Sequence, residues 1–403
     1  MERFDIAIVG GGLVGASLAA SLAELIEQHH LRVVVIEAAA ISLEKRTWQP
    51  SFDQRSSALA YGTRLHFERM GLWHHDDEQS GLAREACPIH QVHIAERGRL
   101  GVARLNDREM GTDALGYVVP NAWMGQVLMQ RMATLPLEWR CPARVEQVMP
   151  VEGGYQLTLD NGDTLQAGLT VLADGGRSPL KSMLGIDSAV HDYQQSALIS
   201  TLEISRPHRG IAYERFDALG PMALLPLNEQ RMALVWTRSP ERLAELEALS
   251  DAQLLAEIQR FFGDRLGRFT RIGKRSTYSL QLVQAREQVR PHLAVLGNAA
   301  HSMHPVAGQG FNLALRGVTD LRDALAQALS QGKEVGDAAV MHDFERRRAR
   351  DRDVMVKASH GLVELFGIDN PLLSHARAVG LIGLNLLGPV RRGLTRRAMG
   401  IER

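Results

Sequence analysis

The chain has 403 residues, with 46 Lys and Arg against 46 Asp and Glu, so it carries no formal net charge at pH 7. The missing basic excess argues against nucleic acid as a main partner, because neutralising phosphates needs one. Its 45% hydrophobic and 23% charged content is that of a globular protein, and the length fits two interlocked domains plus a tail. The two cysteines, Cys87 and Cys141, have no metal-like spacing and fit inert thiols in a reducing compartment, the cytoplasm.

The segment Gly11–Leu25 is apolar, but Glu2 and Asp5 stand where a signal peptide needs basic residues. A buried strand, turn and helix explain it better. Phe4–Val9 is a β-branched run of the parallel-sheet kind, and Gly10, Gly11, Gly12, Leu13, Val14 and Gly15 follow it. An Ala- and Leu-rich helix then runs to about Glu27. In this G-x-G-x-x-G spacing, Gly10 permits the turn, Gly12 admits a pyrophosphate to the backbone, and Gly15 lets helix and strand approach. The helix start offers free N–H groups to phosphate. A second strand, Arg32–Ile36, ends in Glu37, about 20 residues on, as a dinucleotide site requires. A carboxylate there accepts from ribose hydroxyls and repels a 2′-phosphate. That excludes NADP from this site and leaves FAD or NAD.

Further along, Leu169–Ala173 reads as another buried strand and runs into Asp174, Gly175, Gly176, Arg177 and Ser178. Strand-like runs follow at Ala197–Ile204, Ile211–Phe216, Met222–Leu227, Met232–Thr237 and Ser276–Leu280, interrupted by a helical stretch, Pro240–Phe262. His292–Leu296 leads to Gly297 and Asn298, then to the string from His301 to Asn312 and a long helix to about Leu329. His301 and His304 lack a third ligand at metal-like spacing, so no metal is expected. His74-His75-Asp76-Asp77 reads as a solvated loop or cap, and Glu345-Arg346-Arg347-Arg348 as a solvated helix face. From Pro371 on, leucines and other apolar residues are mixed with arginines. Such a tail covers the protein's own core or a subunit interface, or lies on an anionic membrane; the first reading is the commoner.

These motifs resemble the aromatic-hydroxylase family of FAD monooxygenases, the para-hydroxybenzoate hydroxylase type, over about residues 1–350. Members carry the glycine start, a central D-G motif and a late G-D motif followed by a proline–glycine loop. The string His304–Asn312 resembles the signature of its ubiquinone-biosynthesis branch, although that signature has Gly at Ala314 and Asp at Gly317. Phe52–Leu59, Glu214-Arg215-Phe216 with Gly220-Pro221, Gly273-Lys274-Arg275-Ser276 and Asn298 are most similar to 2-polyprenyl-6-methoxyphenol hydroxylases.

The resemblance implies an α/β fold: a Rossmann-like FAD-binding domain (1–70, 101–180, 285–345) interlocked with an antiparallel-sheet substrate domain (71–100, 181–284), then a C-terminal helical region (346–403). It implies that Arg55 meets FAD phosphates, that Asn121 and Gln126 lie near the pyrophosphate, and that Asp174 and Gly175 form the central contact. Asn298 replaces the Asp that accepts from a ribityl hydroxyl. Pro305, Gly308 and Gly310 let the chain pass the flavin, and the backbone of Phe311 and Asn312, at a helix start near Phe311, faces the charge of the reduced ring.

NADPH or NADH is the implied transient reductant, since no second dinucleotide fingerprint occurs. O₂ then adds to the flavin as a C4a-hydroperoxide, which oxygenates a polyprenylated methoxyphenol para to its hydroxyl. A pathway complex, a homo-oligomer and peripheral contact with the inner face of the cell membrane are compatible partners. No side chain is identified as catalytic. A sister hydroxylase for another ring carbon, a flavin oxidase or dehydrogenase, and a non-catalytic assembly member stay open.

Overall fold

The computed structural model describes residues 1–41, 55–74, 81–228, 230–304, 308–368 and 370–402. At its centre, Val9 pairs in parallel with both Ile36 and Leu172, and Leu172 pairs with Val295. These residues close four strands, Glu2–Val9, Val33–Ile36, Thr164–Leu172 and Leu293–Val295, which lie side by side in one sheet with Glu138–Arg140 at the flank. Ile6, Ile8, Val34, Val35 and Val171 are wholly buried, which explains the uninterrupted apolar runs of the sequence. Helices Leu13–Ser21, Asn121–Met132 and Gln309–Ser330 cover one face, and the hairpin Val145–Leu159 covers the other. Because the four strands end in register, Gly10, Glu37, Ala173 and Leu296 leave the sheet at one edge. In such sheets ligands bind at the carboxyl ends of the strands.

A larger, mostly antiparallel sheet runs in the order His301–Ser302, Ser276–Ala285, Ser188–Ile204, Arg231–Arg238, Met222–Asn228, Ile211–Phe216, Gln91–Glu96, Val102–Asn106. Val102–Asn106 pairs here with Gln91–Glu96, which carries this sheet past residue 100, where the sequence reading returned the chain to the FAD-binding part. One face, including Leu198, Leu202, Leu234 and Trp236, packs on helices Pro240–Ala248 and Asp251–Phe262. The sequence reading took these two helices as one. Ser250 separates them: its hydroxyl accepts from the Gln253 N–H while the Gln253 side chain accepts from the Ser250 N–H, a capping box. A third sheet joins Ser56–Ala60, Gly116–Pro120 and Cys87–Ile89.

The chain closes with helices Ala338–Gly367, Pro371–Leu386 and Gly388–Ala398. The tail is fastened to the strands Gln91–Asn106. Arg377 forms a buried ion pair with Glu96 at 2.8 Å, and the Asn385 amide oxygen accepts from the Arg104 N–H at 3.0 Å. Further on, the Gly62 N–H donates to Met399 O at 2.7 Å. Val379, Leu386, Leu387 and Val390 nevertheless stay exposed. No helix among the described residues is long and apolar enough to cross a membrane. The run Glu345–Arg348 departs from its expected solvated face: Arg346 and Arg347 pair with Asp343 outside, whereas Arg348 turns inward and is 3% exposed.

Candidate active site

The three glycine motifs touch one another at points where a Cβ would collide with or crowd its neighbour. Gly10, at φ +106°, would place a Cβ 2.6 Å from Ala173 O. Gly297, at φ +60°, would place one 2.9 Å from Val14, and one on Gly176 would meet Asn298 O at 3.2 Å. The first, central and late motifs thus close a triangle at the sheet edge. Beneath it, a Cβ on Gly15 would stand 1.8 Å from Gly10 O, so this glycine serves packing and does not line the site. Gly11 has a role the sequence reading missed. It packs on the Trp139 ring, 2.4 Å from where its Cβ would be, and its N–H donates to Glu37 Oε2 at 2.7 Å. The other Glu37 oxygen accepts from the Ala39 N–H at 2.8 Å, which fixes the carboxylate at the end of its strand.

A cavity of about 1150 Å³ opens on this triangle. That exceeds the roughly 300–1,000 Å³ of a single small-molecule site and leaves room for a cofactor and a second molecule. Of the predicted residues, Gly10, Gly12, Leu13, Val14, Glu37, Arg55, Asn121, Asp174, Gly175, Asn298, Gly308, Gly310, Phe311 and Asn312 line it. Gln126 is not in the lining; it sits on the Asn121–Met132 helix with its Nε2 buried. Pro305 and residues 52–54, 75–77, 306 and 307 lie outside the described residues.

Several lining residues also hold the walls together. Asp174 accepts from the Gly176 N–H at 2.9 Å and from the Ser178 N–H and hydroxyl, so it shapes its own turn. Arg55 lies over the Tyr278 ring, 4.9 Å from its centre, and its carbonyl accepts from the Asn121 N–H at 2.8 Å. Asn312, fully buried, accepts from the Ala60 N–H at 2.8 Å and donates to the carbonyls of Ala58 and Gly308. Its side chain therefore staples the late helix to the Ser56–Ala60 strand.

The lining fits FAD. Helix Leu13–Ser21 begins without a side-chain cap or an acidic residue in its first turn, and so does helix Gln309–Ser330. Two open helix starts facing one cavity suit negative or electron-rich groups: a pyrophosphate at the first, the pyrimidine edge of a flavin at the second. The second helix starts at Gln309, two residues before the expected start, because Gly308 adopts the left-handed conformation at its N-cap. A Cβ on Gly310 would meet nothing within 4 Å, so the backbone is bare on that side.

The far wall is the open face of the larger sheet, which includes Ala197, Ile199, Ala212, Ala223, Leu225 and Ala233. Residues at alternate positions of these strands share the face, and their small side chains leave volume for a ring. Among them stands one acid, Glu214, which in the sequence is marked only as part of the Glu214-Arg215-Phe216 string. Leu362, Leu394, Ala398 and Met399 of the C-terminal helices complete the lining. His304 also lines it, 1% exposed, with its pKa pushed down to about 4 by burial and its ring edge-on to Tyr193. His301 turns away: its Nδ1 lies 3.3 Å from Arg348 Nη2, and burial and that guanidinium lower its pKa to about 3.

Residues 3–357 match the model of the FAD binding domain family. Ubiquinone hydroxylase UbiL of Rhodospirillum rubrum is 36% identical, over 98% of this chain and 89% of that one. The 3-demethoxyubiquinol 3-hydroxylase of Escherichia coli is 32% identical, over 98% of both chains. Among solved structures, p-nitrophenol 4-monooxygenase PnpA of Pseudomonas putida superposes with a TM-score of 0.78 at 18% identity, covering 99% of each chain. Family match, fold and cavity agree: this chain belongs to the FAD binding domain family, among the ubiquinone-biosynthesis hydroxylases, and is an FAD-dependent monooxygenase.

Proposed function

We propose that the protein hydroxylates a 2-polyprenyl-6-methoxyphenol at the carbon para to its hydroxyl, using a reduced nicotinamide and O₂. One observation carries this reading: a single cavity joins the FAD-binding edge to an apolar, alanine-rich sheet face. Bound FAD supplies the oxygen chemistry, and the chain supplies placement and a dry enclosure. The N–H groups of Leu13 and Val14 face the pyrophosphate and Glu37 the adenosine ribose. Those of Phe311 and Asn312 face the electron-rich edge of the flavin, and Asn298 accepts from the ribityl chain. The phenol ring lies on the alanine face, and the prenyl tail runs out past Leu362 and Leu394. The exposed Leu365 on the Ala338–Gly367 helix, Ile368 just past its end, and Val379 and Leu386 on the Pro371–Leu386 helix support contact with the bilayer that stores such a substrate.

A second reading, hydroxylation of a sister ring carbon, is favoured by the 32% identity to a 3-demethoxyubiquinol 3-hydroxylase. The deciding experiment incubates the yellow holoenzyme with NADPH or NADH, O₂ and short-chain prenyl phenols of both kinds, and identifies products by mass and ring position. Peroxide without any hydroxylated product refutes both readings. Sedimentation with anionic vesicles tests the membrane contact, and protein that stays wholly in the supernatant counts against it.

A further inference from the structure

Glu214 is the acid of the alanine-rich wall. On the strand Ile211–Phe216 it sits between Ala212 and Phe216. Ala212 packs in one cluster with Ala58, the residue that a Cβ on Gly308 would meet at 3.1 Å. Phe216 stacks on Phe366 of the Ala338–Gly367 helix at 3.9 Å. Glu214 therefore stands between the loop that receives the flavin and the helices that close the cavity. Its direct partners across the sheet are Ala223 and Ile94, both apolar.

Two other acids at this end of the sheet have arginines: Glu96 has Arg377 at 2.8 Å and Asp217 has Arg238 at 3.0 Å. The Glu214 carboxyl makes no hydrogen bond or ion pair among the described residues. An unsatisfied carboxyl in apolar surroundings is costly, so one that faces an otherwise apolar cavity marks the place of a polar ligand group.

We propose that Glu214 receives the ring hydroxyl of the phenol, accepting its hydrogen bond and then its proton. This rests on the phenol-hydroxylase reading above. In the step, the phenolic O–H bond breaks, its electron pair stays on the phenolic oxygen, and the proton forms a new O–H bond on the Glu214 carboxylate. The phenolate formed is the stronger carbon nucleophile at the para and ortho positions. Burial supports the role, raising the Glu214 pKa to about 8, within roughly 2 units of a phenol such as tyrosine near 10.

No charge opposes or assists that shift. On the neighbouring strand Glu96 is held by Arg377, and on the strand itself Arg215 donates to the Phe262 carbonyl. Met222–Asn228 offers Ala223 and Leu225 to the cavity, the Ala338–Gly367 helix offers Leu362, and on the last helix Arg391 is paired with Glu109.

The test is a pH titration of the oxidised holoenzyme saturated with a short-chain prenyl methoxyphenol, read by the phenolate band in ultraviolet difference spectra. With the Glu214 carboxylate beside it, wild type is expected to form phenolate only above the pKa of the free phenol, and Glu214→Gln, which lacks that charge, at a lower pH than wild type. In turnover, Glu214→Gln should keep its FAD, lose about 10²–10⁴-fold in hydroxylation and lose the rise in rate near pH 8. Glu214→Ala should recover part of that rate with added formate. An unchanged phenolate midpoint and pH–rate profile in Glu214→Gln overturns the inference, as does loss of FAD from both variants. The titration needs no turnover, so a phenolate midpoint that moves in Glu214→Gln while the wild type never hydroxylates the phenol refutes the reaction and leaves the Glu214 contact standing.

Discussion

Arg348 occupies the space beside Gly317: a Cβ on Gly317 would stand 3.0 Å from Arg348 Nη1. The branch signature has Asp at this position. Arg348 is 3% exposed, bonds to His301 through Nη2, and has no hydrogen-bond acceptor for Nε or Nη1 among the described residues. Burial lowers its pKa to about 10.

Gly317→Asp should therefore be stabilising. It supplies an acceptor to a buried cation, worth about 2 kcal/mol for a charged hydrogen bond, and removes a mid-helix glycine, which for Asp adds only about 0.3 kcal/mol. The tip of the arginine must yield by a few tenths of an ångström. Thermal unfolding should show a Tm a few degrees higher, and an unchanged or lower Tm would mean that the arginine cannot shift.

Two glycines of the cofactor motifs should respond in opposite ways. Gly15→Ala places a methyl 1.8 Å from Gly10 O and should yield aggregated or unfolded protein. A Cβ on Gly310 meets nothing within 4 Å, so Gly310→Leu should leave the apoprotein's Tm within a degree or two. It should still weaken FAD retention by at least about tenfold, or roughly 1.4 kcal/mol, because the side chain takes the flavin's place. Flavin fluorescence on dilution separates the two cases.

Glu37→Gln keeps the shape of the side chain and removes its charge. The bond from the Gly11 N–H, 2.7 Å in the wild type, remains available to the amide oxygen, while the bond from the Ala39 N–H, 2.8 Å, is lost because the amide NH2 cannot accept it. The folded protein should persist while FAD affinity falls roughly tenfold, the weight of one charge-assisted hydrogen bond. Calorimetric titration of apoprotein with FAD gives the number directly, and an undiminished affinity would show that Glu37 serves only the Gly11 turn.

Filling the alanine wall should separate substrate from cofactor. Ala223→Leu and Ala233→Leu add volume to the face opposite the flavin edge. Bound FAD should stay stoichiometric while KM for the prenyl phenol rises at least tenfold and more of the reduced nicotinamide is spent on peroxide. Loss of FAD from either variant would move that part of the cavity from substrate to cofactor.

His304 should contribute to acid instability. Its folded pKa, lowered to about 4 by burial, lies below the unfolded value near 6.5. The neutral ring is favoured in the native state, so its stabilising contribution is full above about pH 6.5 and is lost as pH falls through about 4. The shift corresponds to something on the order of 3 kcal/mol. Relative to wild type, His304→Leu should lose less stability between pH 6.5 and 4, and parallel pH profiles would remove this histidine from the account.

The sequence by itself determined the cofactor half of the protein. Strand, turn and helix of the FAD site are contiguous from Phe4 to about Glu27, so their backbone requirements are written in neighbouring residues: glycines where φ turns positive or a Cβ would collide, β-branched residues where a strand is buried on both faces. Even so, it could not show that Gly297 abuts Val14, or that Gly11 packs on Trp139, because those contacts join residues more than a hundred positions apart. In the substrate half the sequence outlined the strands, and tertiary structure decided which side chains share the cavity wall. Ala212, Ala223 and Ala233 are ordinary strand residues until pairing lays three strands side by side and turns all of them to one face. Glu214 looks like any surface acid on its strand, and only burial opposite the flavin edge, with no arginine to meet it, gives its carboxyl a purpose. Arg348, read as one of a solvated row, turned inward because the helix period sets it beside Gly317, and a cation's environment is fixed by what packs against it, not by its neighbours in the chain.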